Sequence, residues 1–362
     1  MKIEMIVPTL EVGGMETMTV SLAGSLKRAG HDVGVTCLNF RGPLASRLLD
    51  VGIRVSLVRA PGLRSSFWAP GLVRHLRTLR PDVVHTHSGV WGRACRAARM
   101  AGVDTTVHTV HGKLDSDPFY DIVLKRWEAR HSTHIVAVSE ALEQDLVDRV
   151  GLRPQNISVI ENGIDTATFI DDPADRQRMR EELEIEDRMV IGVVARLAAV
   201  KNLHALITAF RDVMARMPAA YLLLAGDGPL WPDLSTHVAR LGLSGAVRFL
   251  GTRNDTPRIH RALDLFVLPS LAEGTSISLL EAMASRTPVI ATPVGNNAKV
   301  LGHGKLGRLT RSPAASDLAQ EMLAVINDWE PSVAKASAAQ AAVKQHYSVD
   351  TMRAHYEQLY GK

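Results

Sequence analysis

Apolar residues along this chain fall into short runs separated by longer amphipathic stretches. "KIEMIV", "DVGVTCL", "IRVSLV", "DVVHTH", "TTVHTV" and "HIVAVS" are Val- and Ile-rich runs of strand length, each leading into a helical pattern such as "METMTVSLAGSLKRAG". This βαβ succession predicts a parallel sheet covered by helices on both faces. The stretch "ENGIDTATFIDDP", residues 161 to 173, breaks the rhythm with Gly, Asn, Asp and Pro and reads as a linker. The alternation then resumes with "MVIGVVA", "AYLLLAG", "AVRFLG", "LDLFVLP" and "TPVIAT". Two doubly wound α/β domains are expected, 1–167 and 168–347. A closing amphipathic helix, 348–362, capped by Ser348 or Asp350, is free to pack back on the first domain. Ligands of open α/β sheets bind at the carboxyl ends of the strands, so two facing sheets would place the site in the cleft between them.

Composition narrows the class. The 362 residues suffice for two cores, and 46% hydrophobic residues with a mean hydropathy of +0.02 argue against disorder. No window approaches the roughly 20 apolar residues of a spanning helix. The amino-terminal run "MKIEMIVPTLEVGG" is too short for a signal core. Cys37 and Cys95 are too few for a disulfide framework and lack metal-ligand spacing, which predicts a reducing, cytoplasmic setting. The net charge of +4 is small, yet residues 41 to 113 hold twelve Lys or Arg against three Asp or Glu. Arg59, Arg64, Arg74, Arg77 and Arg80 crowd the third strand and the helix after it, with Phe67 and Trp68 beside them. An anionic membrane surface or a lipid-phosphate acceptor is one partner this excess suits, with a peripheral position at the inner face of the cell membrane; a solvated helix face is the plainer reading. No nucleic-acid partner is expected.

Several loops at predicted strand ends carry chemistry. Gly13 and Gly14 open a helix after the first strand, where exposed amides suit a phosphate, although a tight turn explains them equally. The G-x-G-x-x-G fingerprint is absent, and no acidic residue ends the second strand, which disfavours a dinucleotide-dependent oxidoreductase. In "GVVARLAAVKNLHALITAF", Arg196 closes a strand and Lys201 precedes a helix. A planar fork and a point charge together suit a diphosphate, unless both are merely solvated loop cations. In "LAEGTSISLLEAMASRTPVIATPVG", Glu273 lies in a loop and Glu281 on a helix whose neighbours are apolar; carboxylates so placed can accept hydrogen bonds from vicinal hydroxyls. "TVHTVHGKLDSD" sets His108 and His111 at another strand end. With His85 and His87 they suggest zinc only weakly, since i, i+2 histidines lack a third ligand of known position.

Together "VGGMET", "ENGID", "ARLAAVKN", "LLLAGDGPL" and "EGTSISLLEAMASRTPVIAT" resemble the motifs of retaining glycosyltransferase family 4, and the likeness spans nearly the whole chain. It implies the GT-B fold, with two Rossmann-like domains facing across a cleft. The implied reaction moves a sugar from a nucleotide diphosphosugar (a UDP or GDP sugar) to a glycan or lipid-linked acceptor, without metal or other cofactor; a nucleotide-sugar epimerase of the same fold is the alternative. The resemblance makes Glu281 the ribose ligand and Glu273 the residue meeting the transferred sugar. It makes Arg196 and Lys201 the diphosphate ligands, His111 the active-site histidine, and Gly14 a phosphate contact from the first domain. Gly274 and Thr275 join the donor-binding set, and Asp115 and Asp117 read as a polar loop. The chain departs from the family pattern at Arg286, where Gly is usual, at Lys299, where Glu is common, and at Thr275 and Ser276, which replace Phe-Gly. These changes bear on the sugar pocket.

Overall fold

The computed structural model describes residues 1–60, 69–87, 89–111 and 119–361. The chain divides into two compact units, Met1–Ile164 with Val349–Lys362, and Asp165–Ser348.

The first unit carries seven parallel strands: β1 (Lys2–Val7), β2 (Asp32–Cys37), β3 (Arg54–Leu57), β4 (Val83–His87), β5 (Thr105–Val110), β6 (His134–Ala137) and β7 (Ile157–Val159). Their order is β3-β2-β1-β4-β5-β6-β7. Every residue of β4 is buried, as are all but the first of β1, β2 and β5. Near-continuous burial is what a sheet covered on both faces demands, and it explains why these strands read as unbroken apolar runs. One charge lies among them. Glu4 is 1% exposed and accepts from Thr36 Oγ1 at 2.5 Å and from Arg54 at 2.6 Å. Burial raises its carboxyl above the usual range despite these partners.

The second unit carries β8 (Met189–Val194), β9 (Ala220–Ala225), β10 (Val247–Gly251), β11 (Leu265–Leu268), β12 (Val289–Ala291) and β13 (Arg308–Leu309), in the order β10-β9-β8-β11-β12-β13, again all parallel. Its core joins Ile191, Val193, Leu222 and Leu224 of the strands to Leu206, Phe210 and Leu318 of the covering helices. The strand β7 and the two-residue β13 are too short to leave a periodic signature in the sequence. The order reverses between β1 and β4 in one unit and between β8 and β11 in the other. A crevice opens at such a reversal, outside the carboxyl ends of the strands.

The helix Val349–Tyr360 belongs to the first unit, where it lies against the helix Gly14–Arg28. Asp350 is inside this helix, in its first turn, and accepts from Ser25 Oγ at 2.7 Å; it is not the cap. His31 and Glu357 meet at 2.9 Å. Deeper down, the Tyr360 hydroxyl lies 2.7 Å from His85 Nδ1, and the Tyr356 hydroxyl 2.9 Å from Thr109 Oγ1. Replacing Tyr360 by Phe keeps the ring and strands a buried imidazole nitrogen, so the expected loss is about 1–3 kcal/mol of stability by urea unfolding. A change under about 0.5 kcal/mol, typical of surface substitutions, would mean the hydroxyl contributes nothing there.

Among the described residues no helix is long and apolar enough to cross a membrane.

Candidate active site

In the second unit, loops from both sides of the β8/β11 reversal converge. Strand β8 ends at Val194, and Arg196 follows two residues later, exposed and without an ion-pair partner among the described residues. The chain then makes a 3-10 turn, Ala199–Lys201. Asn202 follows in the left-handed region (φ 52°), and its side-chain amide donates to Pro269 O at 3.1 Å and Pro313 O at 2.9 Å. Asn tolerates that conformation better than most residues, and the two bonds tie the turn to the loop after β11. Leu271 N donating to Val200 O at 2.8 Å adds a third link.

These ties bring Lys201 to Glu273, with Nζ 2.5 Å from Oε1. Ser270, fully buried, donates to the same oxygen at 2.6 Å. The Glu273 side chain is only 9% exposed, so its charge depends on these two donors. Both described bonds fall on Oε1, which leaves Oε2 able to accept. Gly295 (φ 56°) supports the loop from behind: a Cβ there would run into the carbonyl of Glu273. Asn296 donates through its backbone to Gly274 O and through its side chain to Thr275 Oγ1, each at 3.1 Å. Gly226 (φ 134°) does the same for the Arg196 loop, lying against the carbonyl of Ala195. Ser270, Gly295 and Asn296 escaped the sequence reading, although the glycine of "TPVGNN" directly after a strand was a usable signal.

Ser276 caps the helix Ile277–Ala284, its Oγ accepting from Leu279 N at 3.4 Å. Glu281 sits in the second turn and is 6% exposed. Its partner is His260, Nε2 to Oε2 at 3.3 Å, a residue not anticipated. Oε1 of Glu281 has no partner among the described residues. Arg286 takes the left-handed conformation (φ 59°) that a Gly would adopt freely, and donates to Ser337 Oγ at 2.9 Å.

The first unit holds the other candidates. Gly14 is exposed and is the first residue of its helix, at the carboxyl end of β1. His111 follows β5 directly, and its Nε2 lies 2.9 Å from His87 Nδ1. His87 is fully buried, and its own Nε2 has no hydrogen-bond partner among the described residues. His108 is not at the strand end but inside β5, stacked on Trp91 with centroids 4.2 Å apart and bonded to Thr86 at 2.7 Å. It is a core residue. Among the described residues no three His, Cys, Asp or Glu are grouped to hold a metal ion. Arg64, Phe67, Trp68, Asp115 and Asp117 lie outside the described residues. Arg59, Arg74, Arg77 and Arg80 are exposed.

Burial makes the charged imidazole unfavourable, so His85 and His111 are pushed down to about 3, and His87 and His108 well below the usual value. In the unfolded chain such groups bind protons near pH 6.5. Their contribution to stability is therefore complete above about pH 6.5 and is lost as pH falls towards 3. The fully buried His85, His87 and His108 each take up a proton on unfolding in that window, so their losses accumulate as pH falls. Denaturant unfolding between pH 7 and 4 is expected to show a steep loss, made shallower by His85→Gln; an unchanged slope would contradict the burial argument.

The Glycosyltransferase Family 4 model matches residues 12–168, and the model "Glycosyl transferases group 1" matches residues 175–342. The chain is 34% identical over 245 residues to the UDP-Gal:alpha-D-GlcNAc-diphosphoundecaprenol alpha-1,3-galactosyltransferase of Escherichia coli, a match covering 63% of this chain and 62% of that protein's length. It is 26% identical over 387 residues to the 2-deoxystreptamine glucosyltransferase of Streptomyces kanamyceticus, covering 96% of this chain and all of the relative. The crystal structure of Anabaena Alr3699/HepE in complex with UDP-glucose superposes with a TM-score of 0.88 at 24% identity, covering both chains fully, a likeness of fold.

Proposed function

Since the chain belongs to the glycosyltransferases, with a Family 4 domain followed by a group 1 domain in two parallel-sheet units of the GT-B fold, we propose that it transfers a sugar from a nucleotide diphosphosugar with retention at the anomeric carbon. The observation that carries this reading is the Lys201–Glu273–Ser270 cluster at the β8/β11 reversal, with Arg196 on the adjoining loop. An ammonium has three donors. Glu273 takes one of those of Lys201, and the others remain for phosphate oxygens. Arg196 adds a planar fork for the same diphosphate. As the bond to the anomeric carbon breaks, negative charge collects on the β-phosphate, and these cations stabilise it, the role a metal plays elsewhere. The departing phosphate takes the acceptor's proton on the face it leaves. Glu273 Oε2 receives a sugar hydroxyl, and Glu281 Oε1 the ribose hydroxyls.

His111 serves the sugar from the first unit, and His87 sets its tautomer. A buried bare lone pair costs less than a buried orphan N–H. The proton between the two rings therefore belongs to His87 Nδ1, and His111 carries its own on Nδ1. Gly14 offers its backbone to the phosphates. The acceptor class, a glycan or a lipid-linked sugar, is supported by the diphosphoundecaprenol in the name of the E. coli relative. A peripheral position on an anionic membrane rests on the exposed arginines of the first unit.

Thermal shift across UDP, GDP and ADP sugars, followed by turnover in EDTA and NMR of the product anomer, tests the reading. Stabilisation by one donor class, activity in EDTA and a retained anomer are expected. Inversion, or activity that only Mn²⁺ restores, would overturn the mechanism.

A further inference from the structure

Arginines in the second unit are mostly neutralised. Arg176 and Arg180 share Asp264, and Arg258 and Arg261 share Asp175. A cluster in the first unit differs. The helix Trp91–Ala101 brings up Arg96, Arg99 and Met100, and the end of the helix Phe119–Glu128 with the 3-10 turn Ala129–His131 brings up Trp127, Arg130 and His131. These six side chains line an open surface depression of about 520 Å³. None of the three arginines has a carboxylate partner among the described residues.

The geometry prepares these groups. The Arg96 guanidinium stands over the Trp127 ring, 5.8 Å from its centroid, within cation–π range. Arg99 donates to Arg130 O at 3.0 Å, tying the two elements together. The His131 ring meets Trp127 edge-on at 4.9 Å, and its buried Nε2 has no hydrogen-bond partner among the described residues. Burial and then the charges of Arg96, Arg99 and Arg130 lower the proton affinity of His131, so all three guanidinium fields reach one imidazole.

We propose that this surface depression is a binding site for a phosphate-type oxyanion, held by Arg96, Arg99 and Arg130, with Trp127 and Met100 against the less polar body attached to it. Guanidinium forks match phosphate oxygens two at a time, and a site with three uncompensated cations lacks only the anion. The site is separate from the proposed donor chemistry. Arg99 is in the last turn of its helix, and His131 stands just before β6 begins, so both lie towards the amino end of the sheet. His111 and Gly14 follow the carboxyl ends of their strands. The phosphate comes either from a lipid headgroup or from a soluble ester.

Calorimetry with inorganic pyrophosphate tests the proposal on the full chain, in the Arg196→Ala/Lys201→Ala background so that the proposed donor site contributes no pyrophosphate binding. Arg99 and Arg130 are exposed, so R99Q/R130Q is expected to fold, its unfolding midpoint lowered no further than the loss of the one exposed Arg99–Arg130 O bond lowers it. Pyrophosphate affinity should fall at least tenfold in R99Q/R130Q and partly recover in R99K/R130K, while UDP affinity, read with Arg196 and Lys201 intact, stays constant. Flotation with phosphatidylcholine vesicles, with and without phosphatidylglycerol, separates the sources. Binding only to the anionic vesicles, lost in R99Q/R130Q, assigns a lipid headgroup; pyrophosphate binding without vesicle binding assigns a soluble ester. Equal pyrophosphate affinity with and without R99Q/R130Q, or no binding in either, overturns the site. Because UDP binding is read separately, failure here is distinct from failure of the proposed transferase.

Discussion

Lys201→Ala is expected to lower kcat at saturating donor by about 10²-fold or more, the usual loss when a preorganised charge stabiliser is removed from a developing anion. Arg196→Ala should fall in the same range, but the two variants should differ in stability. Arg196 is exposed and unpaired among the described residues, so its loss costs the fold little. Lys201 balances a carboxylate that is 9% exposed, and its removal leaves Glu273 with Ser270 alone. A destabilisation of about 1–3 kcal/mol is expected from that unpaired charge. The double variant Lys201→Ala/Glu273→Ala should be more stable than the two single losses would sum to, because neither partner is left behind. Steady-state kinetics and urea unfolding check both halves; wild-type kcat in Arg196→Ala and Lys201→Ala would remove the diphosphate from this loop.

The second large effect is on nucleotide affinity. Glu281→Gln keeps the side chain's shape and gives His260 an amide oxygen to bond, so the fold should hold. The charged acceptor for the ribose hydroxyls is lost. Hydrogen bonds to a charged group contribute about 1.5–3 kcal/mol, which converts to about a 10- to 150-fold weaker Kd for the bare nucleoside diphosphate. Glu273→Gln should leave that Kd within about twofold, since the transferred sugar is absent from the ligand, and should lower turnover instead. Calorimetry with UDP and GDP separates the roles, and equal weakening in both variants would show that they are wrongly divided between the two carboxylates.

The strands were legible because burial on both faces makes each of them a run of apolar residues, a local property of the sequence. The pairings were not, because they depend on strand order. Lys201 and Glu273 stand 72 residues apart and meet because β8 lies beside β11, while His260 reaches Glu281 across 21 residues from a helix that shows no sign of it. Family resemblance named Lys201, Glu273 and Glu281 without saying what holds them. Ser270 and Asn296, which do part of that holding, are ordinary loop residues until the loop is closed. His108 was misread as a strand-end residue because period-2 patterning does not say where a strand stops. Its stacking on Trp91 depends on a helix whose position the sequence alone leaves open.

The helix Val349–Tyr360 has a consequence for how the protein is made. The first unit is encoded in two pieces, and the second piece leaves the ribosome roughly 185 residues after Ile164. At about 5–20 residues per second, the nascent first unit waits roughly 10–40 s without Tyr356 and Tyr360, which later supply hydroxyls to Thr109 and His85. The second unit, contiguous in the chain, has all its strands synthesised before that helix exists. Until that helix is made, the β4–β5 face that receives Tyr356 and Tyr360 stays uncovered, so the earlier-made unit cannot complete its core before the whole of the second unit has been synthesised.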